Sequence, residues 1–382
     1  MSRHGIMSRW PMILLLICVS VMGCNNNAHN NGQQKVVFGA ILPMTGSAAQ
    51  YGEEANQGMQ IAIDYLRAPD PSSKYSFTYE LQDSESDPKN AEAALLTLKA
   101  RNDIFAVISE VSGVVLALAP ICEREQLVLM NVGAQNPQIG GAGRFTFSNV
   151  NLANVESKQV AEFAFNALSK RRAAVLYAAA SYGQGARDVF VRVFSDLGGN
   201  VVADTSYPVE STDYRAQISE IIRANPDVVY LPGTTQDMAR VLRQTYEMGL
   251  HPQWLSYTAF EGQEILALAG KAAEGVIFAS AYLDWDSATG LRAKFRDAYK
   301  AKYEKIPSVY AATTFDGVLI LADAVRAKGP SGSLVREYLS TMPLFNGASG
   351  ATQFDQNGTV NKPLIFKTVK GGSFVRYEPV KQ

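Results

Sequence analysis

The chain has 382 residues, 47% of them hydrophobic, and 35 basic side chains stand against 36 acidic ones for a net charge of −1. That balance excludes a basic nucleic-acid-binding surface and a disordered polyelectrolyte. The length exceeds what one hydrophobic core ordinarily organises, so two domains are expected.

From the N-terminus, Arg3 and Arg9 precede an apolar run, residues 12–22, too short to be a good bilayer span, and this pattern reads as an export signal over residues 1–23. The run ends in Met22-Gly23-Cys24. Gly23 suits a peptidase groove and Cys24 is placed to receive lipid, as in a bacterial lipobox, although Met22 is bulkier than that pattern usually carries. The following stretch, NNNAHNNGQQ, has almost no apolar side chain to offset its ordering entropy, so residues 24–35 are expected to be a flexible tether. Acyl chains on Cys24 would hold an exported protein at a membrane surface without a spanning helix. Without residues 1–23, 33 basic side chains face 36 acidic ones. Cys18 lies in the signal and Cys24 at its end, so Cys122 is alone in the mature body; an internal disulfide and a thiolate zinc site are excluded. Cys122 follows Leu118, Ala119 and Ile121 in an apolar helical stretch, which reads as a buried, inert thiol.

Beyond the tether, short β-branched runs alternate with amphipathic segments, the pattern of parallel sheets with helices on both faces. Strands are expected at 36–42, 77–82, 105–108, 127–130, 173–177, 201–207, 228–231, 254–257 and 276–279. Helices are expected between them, as at 53–66, where Ala55, Met59, Ala62, Ile63 and Leu66 share a face, and at 188–197. Polar breaks near 149–154, 282–287 and 357–361 suggest that the chain passes between two α/β domains at three places. The expected division is 36–152 plus 283–358 for lobe 1, and 153–282 plus 359–382 for lobe 2.

The string FGAILPMTGSAAQYGEEANQGMQIAIDY (38–65) resembles the opening of the branched-chain amino acid and amide type of periplasmic substrate-binding protein, the type I binding fold of ABC transporters. In register after it, SGVVLALAPICERE (112–125), VLMNVGAQNPQI (128–139), SYGQGARD (181–188), PDVVYLPG (226–233), YEKIPSVYAATTFDGVLILADAV (303–325) and GASGATQFDQNGTV (347–360) resemble later parts of the same family. The resemblance implies two Rossmann-like lobes joined by three hinge crossovers and closing on a ligand like a flytrap. It implies a monomer that binds a small molecule, needs no cofactor, metal or nucleic acid, and delivers the ligand to a membrane permease.

Candidate binding residues lie at the carboxyl ends of the expected strands, where open α/β sheets take ligands. Tyr51 follows the turn of Thr45, Gly46 and Ser47 and is placed to pack on a ligand. Ser112 is expected to cap a helix, making an anion site with the neighbouring amides. In the resembling family this serine binds the ligand carboxylate with the loop after the next strand, here Gly133, Ala134 and Gln135, the glutamine standing where that family usually has threonine or serine. Tyr182 and Tyr310 match further aromatic positions of the pocket. Thr234 follows strand 228–231. Thr258 stands where amino acid binders of the family place the glutamate that pairs with the ligand ammonium, so the ligand class stays open among an amino acid, an amide and a small carboxylate. Glu261, Asp284 and Asp286 are alternative sources of that charge.

Enzymatic chemistry has little support. The mature chain's two histidines, His29 and His251, stand without company, and no P-loop lysine, HExxH or nucleophile elbow is present. The glycine turn 183–188 lacks the third glycine of a dinucleotide fingerprint. A sensor that passes its ligand signal to a membrane receptor is the alternative use of the same clamshell, and an α/β enzyme is the weaker one.

Overall fold

The computed structural model describes Met1 and residues 33–68 and 72–378. The expected export signal, Cys24 and nearly all of the tether fall outside the described residues. Chain order begins with β1 (Gln34–Leu42), α1 (Ala49–Leu66), β2 (Tyr75–Asp83), α2 (Pro88–Arg101), β3 (Ala106–Ser109), α3 (Ser112–Glu125), β4 (Val128–Asn131) and β5 (Thr146–Ser148). These strands form one parallel sheet in the order β2-β1-β3-β4-β5. Gln34 and Lys35, expected in the tether, already pair with Tyr75 and Ser76, because the parallel register runs unbroken to the end of β1.

The chain then passes to α4 (Ala153–Glu162), β6 (Arg172–Ala178), α5 (Ser181–Asp196), β7 (Asn200–Tyr207), α6 (Arg215–Arg223), β8 (Val228–Tyr230), α7 (Thr235–Glu247), β9 (Trp254–Ser256), α8 (Gln263–Ala269) and β10 (Ile277–Ala281). It returns through α9 (Gly290–Tyr303), α10 (Val309–Lys328), α11 (Gly332–Leu339) and the hairpin β11 (Phe345–Gly347) and β12 (Gly350–Thr352), then ends in β13 (Leu364–Lys370) and β14 (Ser373–Arg376). The second sheet runs β14-β13-β10-β9-β8-β6-β7. β6 to β10 are parallel, and β13 and β14 extend one side of the sheet as antiparallel strands. The fold is thus two α/β lobes in the type I periplasmic binding arrangement.

Helix α10 belongs to the first lobe's core. Its Phe315, Val318, Leu319 and Leu321 pack in one cluster with Met59 and Ala62 of α1 and with Phe38 and Ile108 of the sheet. The second lobe has its own clusters on the two sheet faces, around Leu176, Val229 and Phe278 on one side and Val175, Tyr230 and Phe190 on the other. Both faces of each sheet are covered, as continuous β-branched runs require.

Two topological features place the site. In the first sheet β1 lies between β2 and β3, and in the second β6 lies between β7 and β8. Connections diverge from these central strands to opposite faces and open a crevice beyond their carboxyl ends. Residues after β1, β3, β6 and β8 therefore meet in one place.

Candidate functional site

Between the two sets of strand ends lies a cavity of about 460 Å³, within the range of small-molecule sites. Helix starts surround it. Ala48, Val111, Ala180 and Thr234, which precede the first turns of α1, α3, α5 and α7, all line the cavity. Only Thr234 among them makes a side-chain cap, accepting from the Asp237 amide at 3.2 Å. Three helices thus present first-turn amides without side-chain caps, and their dipoles favour a negative group in the crevice.

Tyr51, Ser112, Gly133, Ala134, Gln135, Tyr182, Thr234 and Tyr310 all line this cavity. The Tyr51 and Tyr310 rings lie 4.8 Å apart, tilted by 49°. Tyr182 faces them from α5, its hydroxyl buried without a hydrogen-bond partner. Burial pushes the Tyr51 hydroxyl up to about 12 and those of Tyr182 and Tyr310 upward as well, so all three are neutral at physiological pH, and Tyr182 and Tyr310 are available as donors.

Ser112 differs from its expected role. The residue before α3 is Val111, at φ +69°, and Ser112 makes no capping bond. Its hydroxyl instead accepts from the amides of Gln135 at 3.3 Å and Asn136 at 3.2 Å. The left-handed turn at Val111 swings the serine toward the loop after β4, so that it braces this loop and keeps its own proton free to donate. A β-branched residue in that conformation is strained, and such strain persists where the surroundings over-determine it.

Thr258 does not line the cavity. Its amide donates to Glu156 Oε1 at 2.7 Å, its hydroxyl donates to the same oxygen, and Gln135 Nε2 donates to Glu156 Oε2. Glu156, at the start of the second lobe, thereby ties a first-lobe loop to the turn after β9. Burial pushes its carboxyl up to about 7, against these hydrogen bonds. The other acids considered from sequence lie elsewhere: Glu261 pairs with Lys367 and Ser280, and Asp284 accepts from the amides of Asp286 and Ser287 in an exposed turn.

Sequence reasoning missed Glu110, Tyr257, Ser181 and Thr235. The first three line the cavity. Tyr257 donates to the Gly233 carbonyl at 2.8 Å. Thr235 donates its amide to the Tyr51 hydroxyl at 3.0 Å, with its own hydroxyl 2.9 Å from the same oxygen. Beside it, Asn136 Nδ2 donates to the Ser181 carbonyl at 2.7 Å and to its hydroxyl at 3.0 Å. The Tyr51–Thr235 and Asn136–Ser181 bonds cross from one lobe to the other, so the arrangement is a closed one. No cluster of metal-ligating side chains occurs among the described residues, and Cys122 is a buried free thiol pushed up to about 12 by desolvation.

Residues 35–373 match the family model described as periplasmic binding protein. The chain is 25% identical over 342 residues to Leu/Ile/Val-binding protein homolog 1 of Brucella suis, covering 88% of this chain and 91% of that one. It is also 25% identical over 318 residues to the leucine-, isoleucine-, valine-, threonine- and alanine-binding protein of Pseudomonas aeruginosa, covering 83% and 84%. Among solved structures, a leucine-binding protein of Thermotoga maritima superposes with a TM-score of 0.82 at 27% identity, over 90% of this chain and 98% of that one. A solute-binding protein of Rhodopseudomonas palustris in complex with benzoate shares the fold, with a TM-score of 0.81 at 18% identity over 90% and 95% of the two chains.

Proposed function

The chain belongs to the periplasmic binding protein family, and from that premise we propose that it is the extracytoplasmic solute-binding component of an ABC importer. It captures a small polar ligand, an amino acid or a related amide or carboxylate, between its lobes and delivers it to a membrane permease. The supporting observation is the cavity of about 460 Å³ whose walls come from both lobes and into which four helix starts converge. The lobes divide at 152/153, 282/283 and 358/359, and the short segments there act as hinges. Cys24 carries the lipid that holds the monomeric body at the membrane surface on its 24–33 tether.

Ligand binding favours closure because only the closed form lets the ligand touch both walls, so the population shifts by the difference in affinity for the two forms. The Ser112 hydroxyl and the first-turn amides receive an anionic or carbonyl oxygen. Tyr51, Tyr182 and Tyr310 pack on the remainder. A thermal-shift screen against amino acids, amides and small carboxylates is expected to give saturable stabilisation by at least one compound. Ser112→Ala then weakens that compound about tenfold, or about 1.4 kcal/mol. A library in which no compound raises the melting temperature sinks the reading.

A further inference from the structure

We propose that Glu110 is the receptor for a ligand ammonium group, so that the solute is a zwitterion of the α-amino acid type whose positive end is held by the first lobe. This rests on the capture function above and narrows its ligand class.

Glu110 ends the segment after β3 and is 1% exposed. It lines the cavity, and both its carboxyl oxygens are buried without a hydrogen-bond partner. Leaving a buried carboxyl unpaired is costly, and native proteins rarely do so without a partner supplied from outside. For the ionised carboxylate the partner has to be a donor. Among the described residues no lysine, arginine or histidine lines the cavity, and Glu110 is the one acid that does. The titratable groups acting on it are Glu54 of α1 and Tyr310 of α10. A second acid and a neutral phenol supply no positive charge.

Position fits the same conclusion. A Cβ built on Gly133 would fall 2.6 Å from Glu110 Oε2, so the carboxyl lies over the glycine of the loop whose Gln135 and Asn136 amides donate to the Ser112 hydroxyl. Glu110 and Ser112 flank the strained Val111 and converge on this one loop. A carboxylate at Ser112 and the helix starts, with an ammonium at Glu110, is the charge pattern of one α-carbon. Thr258 is held by Glu156, whose two oxygens are already paired, so this turn of the second lobe offers the cavity no free acceptor.

Desolvation first, and then the Glu54 carboxylate, push empty Glu110 up to about 8. At pH 7 the empty site holds a proton that an ammonium must displace.

The test uses the purified protein with matched probes: L-leucine, L-alanine and L-phenylalanine against the carboxylates that lack their amino group. At least one amino acid is expected to bind at least 30-fold more tightly than its deaminated partner. Calorimetry in buffers of different ionisation enthalpy then shows release of about one proton at pH 7, and affinity rises about tenfold per pH unit from pH 6 toward 8. Glu110→Gln loses the discrimination and the proton release. Deaminated carboxylates that bind as well as the amino acids, or that bind with proton uptake, overturn the assignment while leaving solute capture intact; they would show Glu110 donating as a neutral acid. Normal amino acid affinity in a folded Glu110→Gln also overturns it. If neither set of probes binds but other solutes do, the assignment fails alone, and if no solute binds, the capture reading fails with it.

Discussion

Tyr51 shows how one side chain couples ligand contact to closure. Its ring packs on Tyr310 in the first lobe, and its hydroxyl accepts from the Thr235 amide of the second. Tyr51→Phe keeps the ring and deletes the bond, leaving the buried Thr235 amide without that acceptor. The expected cost is about 1 kcal/mol, borne by the closed form alone. Calorimetry should therefore show a fivefold or so loss of affinity, while the urea midpoint of the empty protein stays within error. A second consequence belongs to the buried acids. Glu54 and Glu156 are pushed up to about 7 and Glu110 to about 8, desolvation being the largest cause in each. Their folded values lie above the unfolded ones, so between about pH 4.5 and 8 the native state binds more protons than the unfolded chain, and stability falls as pH rises. Each group contributes at most about 1.4 kcal/mol per pH unit within its window. The melting temperature of the ligand-free protein should decline from pH 5 to 8, and Glu110→Gln should flatten the upper part of that decline. A flat profile in the parent protein would show these carboxyls to be less desolvated than the fold implies.

Helix α5 carries the next prediction, because its first turn is the surface that meets the opposite lobe. A Cβ at Gly185 would fall 2.7 Å from Pro137 Cδ and 3.0 Å from Asn136 Nδ2, both on the first lobe. Gly185→Ala suits a helix better than glycine, so the empty protein should be as stable or slightly more so. Closure should suffer instead, with ligand affinity about tenfold lower and a scattering profile that stays open at ligand levels sufficient for the parent. The same glycines explain what sequence reading missed. Helix spacing made 188–197 recognisable, but α5 starts at Ser181, because Gly183 and Gly185 weaken local propensity while packing admits the tight turn. The nine strands from β-branched runs are all present to within two residues at each end, since buried parallel strands carry their signal in composition. The short β5, the β11–β12 hairpin and the antiparallel strands β13 and β14 were not legible: three residues hold no periodicity, and β13 is half-exposed with lysines at Lys367 and Lys370. At the site, tyrosines and serine at strand ends were readable as positions. The inward turn of Glu110 was not, because it depends on a positive φ at a valine that no propensity favours.

At the scale of the molecule, two of the segments that run between the two sheets are joined to each other. Asn151 Nδ2 donates to the Lys362 carbonyl at 2.8 Å and its Oδ1 accepts from the Lys362 amide at 2.8 Å, so one side chain reproduces a strand pairing between two crossings. Asn149 Nδ2 donates to the Thr313 carbonyl of α10, and Lys362 Nζ donates to Asn149 Oδ1 at 2.8 Å and to Ser349 Oγ at 2.7 Å. Ser349 in turn donates from its hydroxyl and its amide to the buried carboxylate of Asp316, which also accepts from the Ala348 amide at 2.7 Å. Burial pulls Lys362 down to about 8, while Asp316 favours its charged form. The network ties Asn151 and Lys362 to Asn149, Thr313, Ser349 and Asp316 of the first lobe. Lys362→Met removes the cation and leaves the buried Asp316 carboxylate without its offsetting charge, at an expected cost of about 3–5 kcal/mol. Asp316→Asn combined with Lys362→Met removes both charges and should recover much of that loss. Urea unfolding of the two variants decides it: equal destabilisation by the single and the double change would mean that the pair is not coupled and that the hinge is held by its amide bonds alone.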